Sequence, residues 1–233
     1  MADQDFIIRK YRAADREAVR KICCDTGFLG KPVDAIFQDR ELFADFLTAY
    51  YTDVEPESSV VLEVGGEVHG YILGSRFPKK QAAYHRRAIL PRALKLLWRL
   101  AFRYNANSRR YVWWLLARGR KETPLTPAGM AHFHINMYPA AKNVQRTRAM
   151  LDYFFDYLVA NGEKAVYGQM VVFESRRGAR MFARYGFELK DDVEVTKYRR
   201  YVDTPVFLFT VVKDLTAGAT IYGNDLRGKV TAK

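Results

Sequence analysis

His132, His134 and Asn136 occupy alternate positions of one short run, AHFHINMY, and no other polar side chains in this chain are better spaced to act together. Alternation of this kind puts all three on one face of a strand. An imidazole titrates near neutrality and takes up a proton directly or through water, so His132 and His134 are candidates for a general base. Asn136 has no such basicity and serves only to orient a partner. A histidine on a sheet is equally well an ordinary hydrogen-bonded residue, and spacing alone leaves both roles open. Glu55, Glu57 and Glu174 flank the same region and read as solvated charges.

The strand that carries these groups, Ala131 to Tyr138, stops at Pro139, which has no N–H to give to a ladder. A basic stretch follows, Lys142-Asn143-Val144-Gln145-Arg146-Thr147-Arg148, and then the period changes. Met150, Leu151, Phe154, Phe155 and Leu158 form the apolar stripe of a helix, which Asn161-Gly162 closes. The first turn of a helix leaves N–H groups unpaired and carries partial positive charge, so a loop feeding it suits a phosphate. It also suits an ordinary basic turn over a helix end.

Composition narrows the field. The chain has 233 residues and is 49% hydrophobic, as expected of a globular protein with a normal core. No run approaches the apolar length of a membrane span, and MADQDFIIRKY lacks the apolar core of a signal peptide, so the expected location is cytoplasmic. Cys23 and Cys24 are adjacent, form no disulfide framework and have no histidine at ligand spacing; they read as small buried hydrophobes, and no metal is expected. A net charge of +12 calls for an anionic partner: a phosphorylated cofactor, a nucleic acid or an acidic membrane surface. That charge is concentrated. From Val68 to Lys121 there is no Asp or Glu, while fourteen arginines and lysines fall there.

The remaining elements follow from periodicity. Phe6 to Arg12 reads as a strand, Ala14 to Asp25 and Asp39 to Tyr51 as helices, and Ser59 to Val64 with Val68 to Gly74 as a hairpin turned by Gly65-Gly66. In the basic stretch, Ala82 to Tyr104 predicts a helix interrupted or kinked at Pro91, and Tyr111 to Leu116 continues its apolar surface. Thr123 to Gly129 is a linker. A basic amphipathic helix with tryptophan lies on an anionic membrane, holds a partner helix or packs on its own domain. Trp98, Trp113 and Trp114 fall in apolar runs, which disfavours base stacking and hence nucleic acid. Beyond the central helix come a strand, Lys164 to Phe173, a short helix, Arg176 to Arg184, capped by Ser175 and ended by Gly186, and extended structure at Phe187 to Leu189. Val193 to Tyr201 and Val206 to Val212 read as a final strand pair, and Thr216 to Lys233 as a loosely held tail.

This order, with His132 to Pro139, the loop and helix after it, and ARMFARYGF at Ala179 to Phe187, resembles the GCN5-related N-acetyltransferase family. The resemblance implies an α+β fold in three layers, with a mixed central sheet and a helical insert at about residues 76–129 between the third and fourth strands. It implies one domain over residues 1–215. In that family acyl-CoA lies where the fourth and fifth strands splay. Met137 would then offer backbone groups to the thioester and pantetheine, and Val144 to Arg148 would offer N–H groups to the phosphates. The family's three loop glycines correspond to Asn143, Gln145 and Thr147, which is expected to narrow the cradle. Lys142, Arg146 and Arg148 supply charge there. Ser175 stands where the family often has an asparagine near the cofactor.

The family's proton-donating tyrosine corresponds to Phe182, which has no proton to give, and Tyr185 lies one turn further on. With His134 as base and Asn136 to orient, the implied activity is transfer of an acyl group, acetyl in the first instance, from acetyl-CoA or another acyl-CoA to an amine of a small molecule or protein. Phe46, Tyr50, Tyr51 and Asp53 stand where the acceptor wall is built. The alternative is a domain of this fold that has lost its chemistry and binds an anionic partner or membrane surface through the basic insert. The family's last strands often assemble dimers, which puts Val206 to Val212 forward as a homodimer edge.

Overall fold

In the computed structural model, which describes residues 5–173 and 175–216, the β-branched and aromatic runs pair into a sheet of seven strands. They are β1 (Phe6–Lys10), β2 (Ser59–Val64), β3 (Glu67–Ser75), β4 (Ala131–Met137), β5 (Ala165–Val172), β6 (Glu188–Glu194) and β7 (Phe207–Asp214), in the spatial order β1-β2-β3-β4-β5-β7-β6. Every neighbouring pair is antiparallel except β4 and β5. Side-chain alternation sorts the strands between two cores. Val60, Leu62, Val64, Ile72 and Phe133 pack with α5 (Val144–Ala160) and α6 (Ser175–Ala183), whereas Val61, Tyr71 and Leu73 pack with α1 (Arg16–Thr26) and α2 (Arg40–Asp53). The three layers expected from the sequence are present.

The parallel contact is short. Ala131, His132 and Phe133 are in register with Val166, Tyr167 and Gly168, and beyond them β4 and β5 have no paired residues. Gly168 sits where the strands begin to part. A Cβ there would lie 2.7 Å from Met170 Cε and 3.1 Å from the Phe133 ring, so the backbone approaches that ring only because the side chain is absent.

The insert is two helices, α3 (Pro78–Phe102) and α4 (Ala106–Ala117). Of the interruption or kink expected at Pro91, the interruption does not occur: α3 runs through it for 25 residues. A proline inside a helix costs about 3 kcal/mol, and here Tyr84, Leu96 and Leu100, packed against the α1–α2 core on both sides of it, hold the helix together. Tyr111 to Leu116 is part of α4, whose cap Asn105 accepts the Ser108 N–H at 2.9 Å. The insert is anchored at the start of α2. Asp39 caps α2 by accepting the Leu42 N–H at 3.1 Å, accepts a hydrogen bond from Tyr104 Oη at 2.6 Å and pairs with Arg99. Gln38 accepts the Asn105 N–H at 2.8 Å and its own N–H donates to Ser108 Oγ at 3.0 Å.

Three further boundaries differ from the sequence reading. Helix α5 begins at Val144, so residues 144–148 are its first turns rather than a loop. Ser175 is the first residue of α6 rather than its cap. Extended structure resumes at Glu188 and ends at Glu194, while Thr196–Tyr198 forms a 3-10 turn because Val195 and Tyr198, both 4% exposed, are drawn into the α1–α2 core. β7 is paired on both sides, by β5 and β6, so it presents no open edge for strand pairing between copies. Residues 217–233, most of the expected tail, lie outside the described residues, as does Glu174.

Glu55 corrects the sequence reading most sharply. It is fully buried and its carboxylate accepts four hydrogen bonds: from Tyr50 Oη at 2.8 Å and from Ser58 Oγ, Ser75 Oγ and the Arg76 N–H, each at 2.7 Å. It joins the end of α2, the start of β2 and the end of β3, at the point where the insert departs. Removing a buried acceptor strands its donors. Glu55→Ala is therefore expected to lose about 3 kcal/mol or more of unfolding free energy in urea, and Glu55→Gln about half as much. A loss below about 1 kcal/mol for Glu55→Ala would show that the donors find other partners.

Candidate active site

Where β4 leaves β5, its outer edge is open. The Tyr138 N–H donates to His69 O at 2.9 Å on the β3 side, and backbone groups alternate along a strand, so Ile135 and Met137 turn their N–H and C=O groups toward the gap. The Met137 side chain is buried in the α5 core, leaving its backbone as the part that faces the gap. At the far end of the gap stands the N-terminus of α5. Asn143 caps it, accepting the Arg146 N–H at 2.7 Å on its side chain and the Thr147 N–H at 3.1 Å on its carbonyl. Helix geometry leaves the N–H groups of Val144 and Gln145 pointing outward.

The backbone of this turn is regular without the family's glycines. Asn143 is extended (φ −145°, ψ 171°), Gln145 and Thr147 are helical, and among the described non-glycine residues only Leu29 has a positive φ. No position in this turn needs glycine's conformational freedom. The charges are arranged differently too. Lys142 is exposed, but Arg146 is 7% exposed and points inward, with its guanidinium donating to Ala141 O at 3.2 Å and lying 5.6 Å from the Phe6 ring centre.

On the α1–α2 face of β4, His132, His134 and Asn136 line up as alternation requires. Tyr51 Oη lies 3.0 Å from His132 Nε2 and accepts a hydrogen bond from Gln81 Nε2 at 2.6 Å. The direction of the Tyr51–His132 hydrogen bond follows the tautomer of the ring, whose other nitrogen is Nδ1. That Nδ1 is buried with no hydrogen-bond partner among the described residues. The His134 ring packs edge-on to Tyr51 and His132, at centroid distances of 5.6 Å and 6.0 Å. Asn136 Nδ2 donates to Tyr71 Oη at 2.9 Å, which fixes its amide. Burial lowers the His132 pKa to about 3 and the His134 pKa to about 4, with neighbouring histidines adding to the effect. Both are neutral imidazoles at pH 7.

The structure thus brings His134, Asn136 and the Met137 backbone together, with Asn143, Val144 and Gln145 at the end of the gap. Thr147 and Arg148 follow, half-buried along α5. Tyr185 is not brought to them: it packs on the α5 core, on the opposite face of the sheet from His134. Phe182 lies in that same core, 6.3 Å from Phe209. The side chain of Ser175 lies outside the described residues. Of the expected acceptor wall, Tyr50 is spent on Glu55, Asp53 pairs with Arg16 at 2.9 Å, and Phe46 is half exposed beside His85. Gln81 escaped the sequence reading. It sits in the first turn of α3, 51 positions from His132, and only the folding of the insert across Tyr51 reveals its part.

The chain has the fold of the GCN5-related N-acetyltransferases, the fold its sequence resembles. It superposes on SsHAT with a TM-score of 0.65 at 27% identity, covering 90% of this chain and 98% of that one. It is similar also to yncA of Salmonella typhimurium, solved with its cofactor acetyl-CoA (TM-score 0.52, 16% identity, 94% and 99% covered). A third similar structure is the Drosophila melanogaster polyamine N-acetyltransferase (TM-score 0.51, 12% identity, 91% and 100% covered). No family model and no curated protein matches the sequence.

The buried histidines make stability depend on pH. Unfolded imidazoles take up protons near 6.5, whereas His132 and His134 resist protonation down to about 3 and about 4. Their contribution is complete above about pH 6.5 and is lost as pH falls toward those folded values, because the unfolded chain then binds more protons. A His132→Gln variant should show a shallower fall in unfolding free energy between pH 7 and pH 5 than the wild type, by up to about 1.4 kcal/mol per pH unit. Identical slopes would mean that His132 is protonated in the folded protein.

Proposed function

We propose that this chain is an acyl-CoA-dependent N-acyltransferase, with acetyl-CoA the first acyl donor to test and a small-molecule amine the acceptor. The observation that carries the reading is the open β4 edge at Ile135 and Met137, set between a neutral His134 and the N-terminus of α5. An acyl-CoA would lay its pantetheine arm along that edge as an added strand, exchanging amide hydrogen bonds with Ile135 and Met137. Its phosphates would meet the Val144 and Gln145 N–H groups and the partial charge of the helix, with Lys142 nearby.

The chemistry follows from the groups at hand. An uncharged amine attacks the thioester carbon, a C–N bond forms, and the carbonyl oxygen takes up negative charge that the Met137 N–H stabilises. His134, neutral at pH 7, accepts the proton that the attacking nitrogen sheds. The C–S bond then breaks and the CoA thiolate leaves, drawing its proton from water, since Phe182 has none to offer. A base with so low a pKa does not deprotonate an ammonium ion efficiently, so the acceptor reacts in its neutral form and kcat/KM rises with pH until the amine is deprotonated. The alternative of a domain without chemistry rests on two departures, the missing loop glycines and the phenylalanine at 182; the backbone at Asn143, Gln145 and Thr147 does not require the glycines, and Phe182 has no proton to give.

A second attachment is favoured by a separate observation. Leu94, Leu97, Trp98 and Phe102 recur on one face of α3 and are 52–75% exposed, with Trp113 and Leu116 of α4 exposed at 65% and 72%. Such an apolar face in a stretch without acidic residues fits an anionic lipid surface, where each nearby Lys or Arg adds about 1 kcal/mol. Among the described residues no helix is long and apolar enough to cross a membrane, so the contact would be peripheral.

Three outcomes are expected. Millimolar acetyl-CoA should raise the unfolding temperature, a hundredfold excess over the dissociation constant contributing about 2.7 kcal/mol; no shift would remove the reading's support. Val144→Pro keeps the helix start, because proline suits its first position and Asn143 is already extended, but deletes one phosphate-facing N–H. Acetyl-CoA affinity should fall about tenfold with apo stability unchanged, and unaltered affinity would move the phosphates elsewhere. Vesicles of phosphatidylglycerol and phosphatidylcholine should sediment the protein, and Leu97→Glu with Phe102→Glu should abolish this. If the wild type instead dimerises with concentration and ignores vesicles, the apolar face belongs to a second copy.

A further inference from the structure

Lys197 lies in the turn between β6 and β7, and its ammonium is surrounded by aromatic rings: 4.5 Å from the centre of Trp114, 4.9 Å from Tyr198 and 5.2 Å from Tyr111. Among the described residues no carboxylate forms an ion pair with it. The acid whose charge reaches it, Glu122, is committed elsewhere, accepting hydrogen bonds from Trp114 Nε1 at 2.6 Å, the Thr196 N–H at 2.7 Å and Thr196 Oγ1 at 2.6 Å. Burial pushes the Lys197 pKa down to about 8, so the group carries its charge at neutral pH against a desolvation cost. A half-buried ammonium packed on ring faces, with the one acid in reach held by other donors, is short of a counter-charge.

Lys197 lines a cavity of about 250 Å³ between α4 and this turn. Tyr111, Trp113, Trp114 and Tyr201 contribute flat apolar surface to it, and the exposed Arg110, Arg118 and Arg200 line it as well. Of these arginines, Arg118 faces an acid, Glu122 at 3.6 Å, whereas Arg110 pairs with no acid among the described residues and donates to Asn107 Oδ1 at 3.2 Å. The lining therefore combines four cations with four aromatic side chains and contains no acid. Phe28 braces it from beneath, with its ring 6.0 Å from Tyr198 and 5.2 Å from Tyr201. None of the lining residues belongs to the His132, His134 and Tyr51 network.

Cations alone would suit any anion, and aromatic walls alone any flat apolar molecule. Both together select a ligand that has a ring to stack and a charge to pair. We propose that this cavity is a binding site for a small aromatic carboxylate, its ring against Trp113, Trp114 and Tyr201 and its carboxylate on Lys197 and the arginines. Arginine's planar fork suits a carboxylate in two-point contact, and Lys197 gains the counter-charge it lacks.

The probe is 2-naphthoate, titrated calorimetrically into the full-length protein beside its uncharged analogue 2-naphthamide and beside inorganic phosphate. Naphthoate should bind saturably, and the amide at least tenfold more weakly. Lys197→Met keeps an apolar side chain of similar length among the rings and should weaken naphthoate at least tenfold. Arg200→Gln, at an exposed position, should weaken it several-fold without touching the buried turn. Equal binding of naphthoate and naphthamide, displacement of naphthoate by millimolar phosphate, or wild-type affinity in both variants would overturn the proposal.

Discussion

Everything about the candidate site depends on a parallel contact that lasts three residue pairs. β4 is held by β3 over six of its seven positions and β5 by β7 over all eight, so each strand has one edge satisfied almost throughout. Between them the register ends at Phe133 and Gly168. A sheet interrupted in its middle is costly, since buried backbone donors and acceptors must find partners. Sequence alternation keeps the two strands seated on the α5 core up to the point of divergence, and Phe133 packs there against Phe154 and Phe155 at centroid distances of 5.6 Å and 6.0 Å. Past that point the chain leaves an edge that only a ligand or water can satisfy.

The insert is part of this arrangement rather than an appendage to it. Asp39 serves at once as cap of α2 and partner of Arg99 and Tyr104, so the start of α2 and the return from α3 to α4 are tied through one carboxylate. Glu55 does the same for the departure of the insert. Through these two anchors the first turn of α3 crosses Tyr51, and Gln81 takes one lone pair of its hydroxyl. A residue of the insert is thereby hydrogen-bonded to the tyrosine that meets a histidine on the central strand.

Much of this was legible in the sequence, and the failures have particular causes. The alternation of His132, His134 and Asn136 and the stripe from Met150 to Leu158 are local patterns with a single period, and both fold as read. Glu55 was misread because a lone glutamate beside proline carries no sign of its four donors, which come from Tyr50, Ser58, Ser75 and Arg76 only after three elements meet. Gln81 was missed for the same reason. Val193 to Tyr201 has the β propensity of a strand, and at Thr196–Tyr198 that propensity loses to the burial of Val195 and Tyr198. Pro91 was given its local cost without the tertiary contacts of Tyr84, Leu96 and Leu100.

The start of α5 holds a regular helix entry without glycine. Glycine is indispensable in a phosphate cradle where φ is positive or where a Cβ would meet the ligand. Here Asn143 holds an extended conformation that any residue adopts, and its side chain takes over the Arg146 N–H, which a glycine would have left free. The exchange has a direction: the helix start is better capped, by about 1 kcal/mol relative to alanine, and one donor fewer faces outward. With Arg146 turned inward as well, the α5 end offers less to a diphosphate than the glycine-rich version of the same turn. A larger share of any recognition must then fall on the β4 edge, where Ile135 and Met137 present amide groups that no side-chain substitution alters.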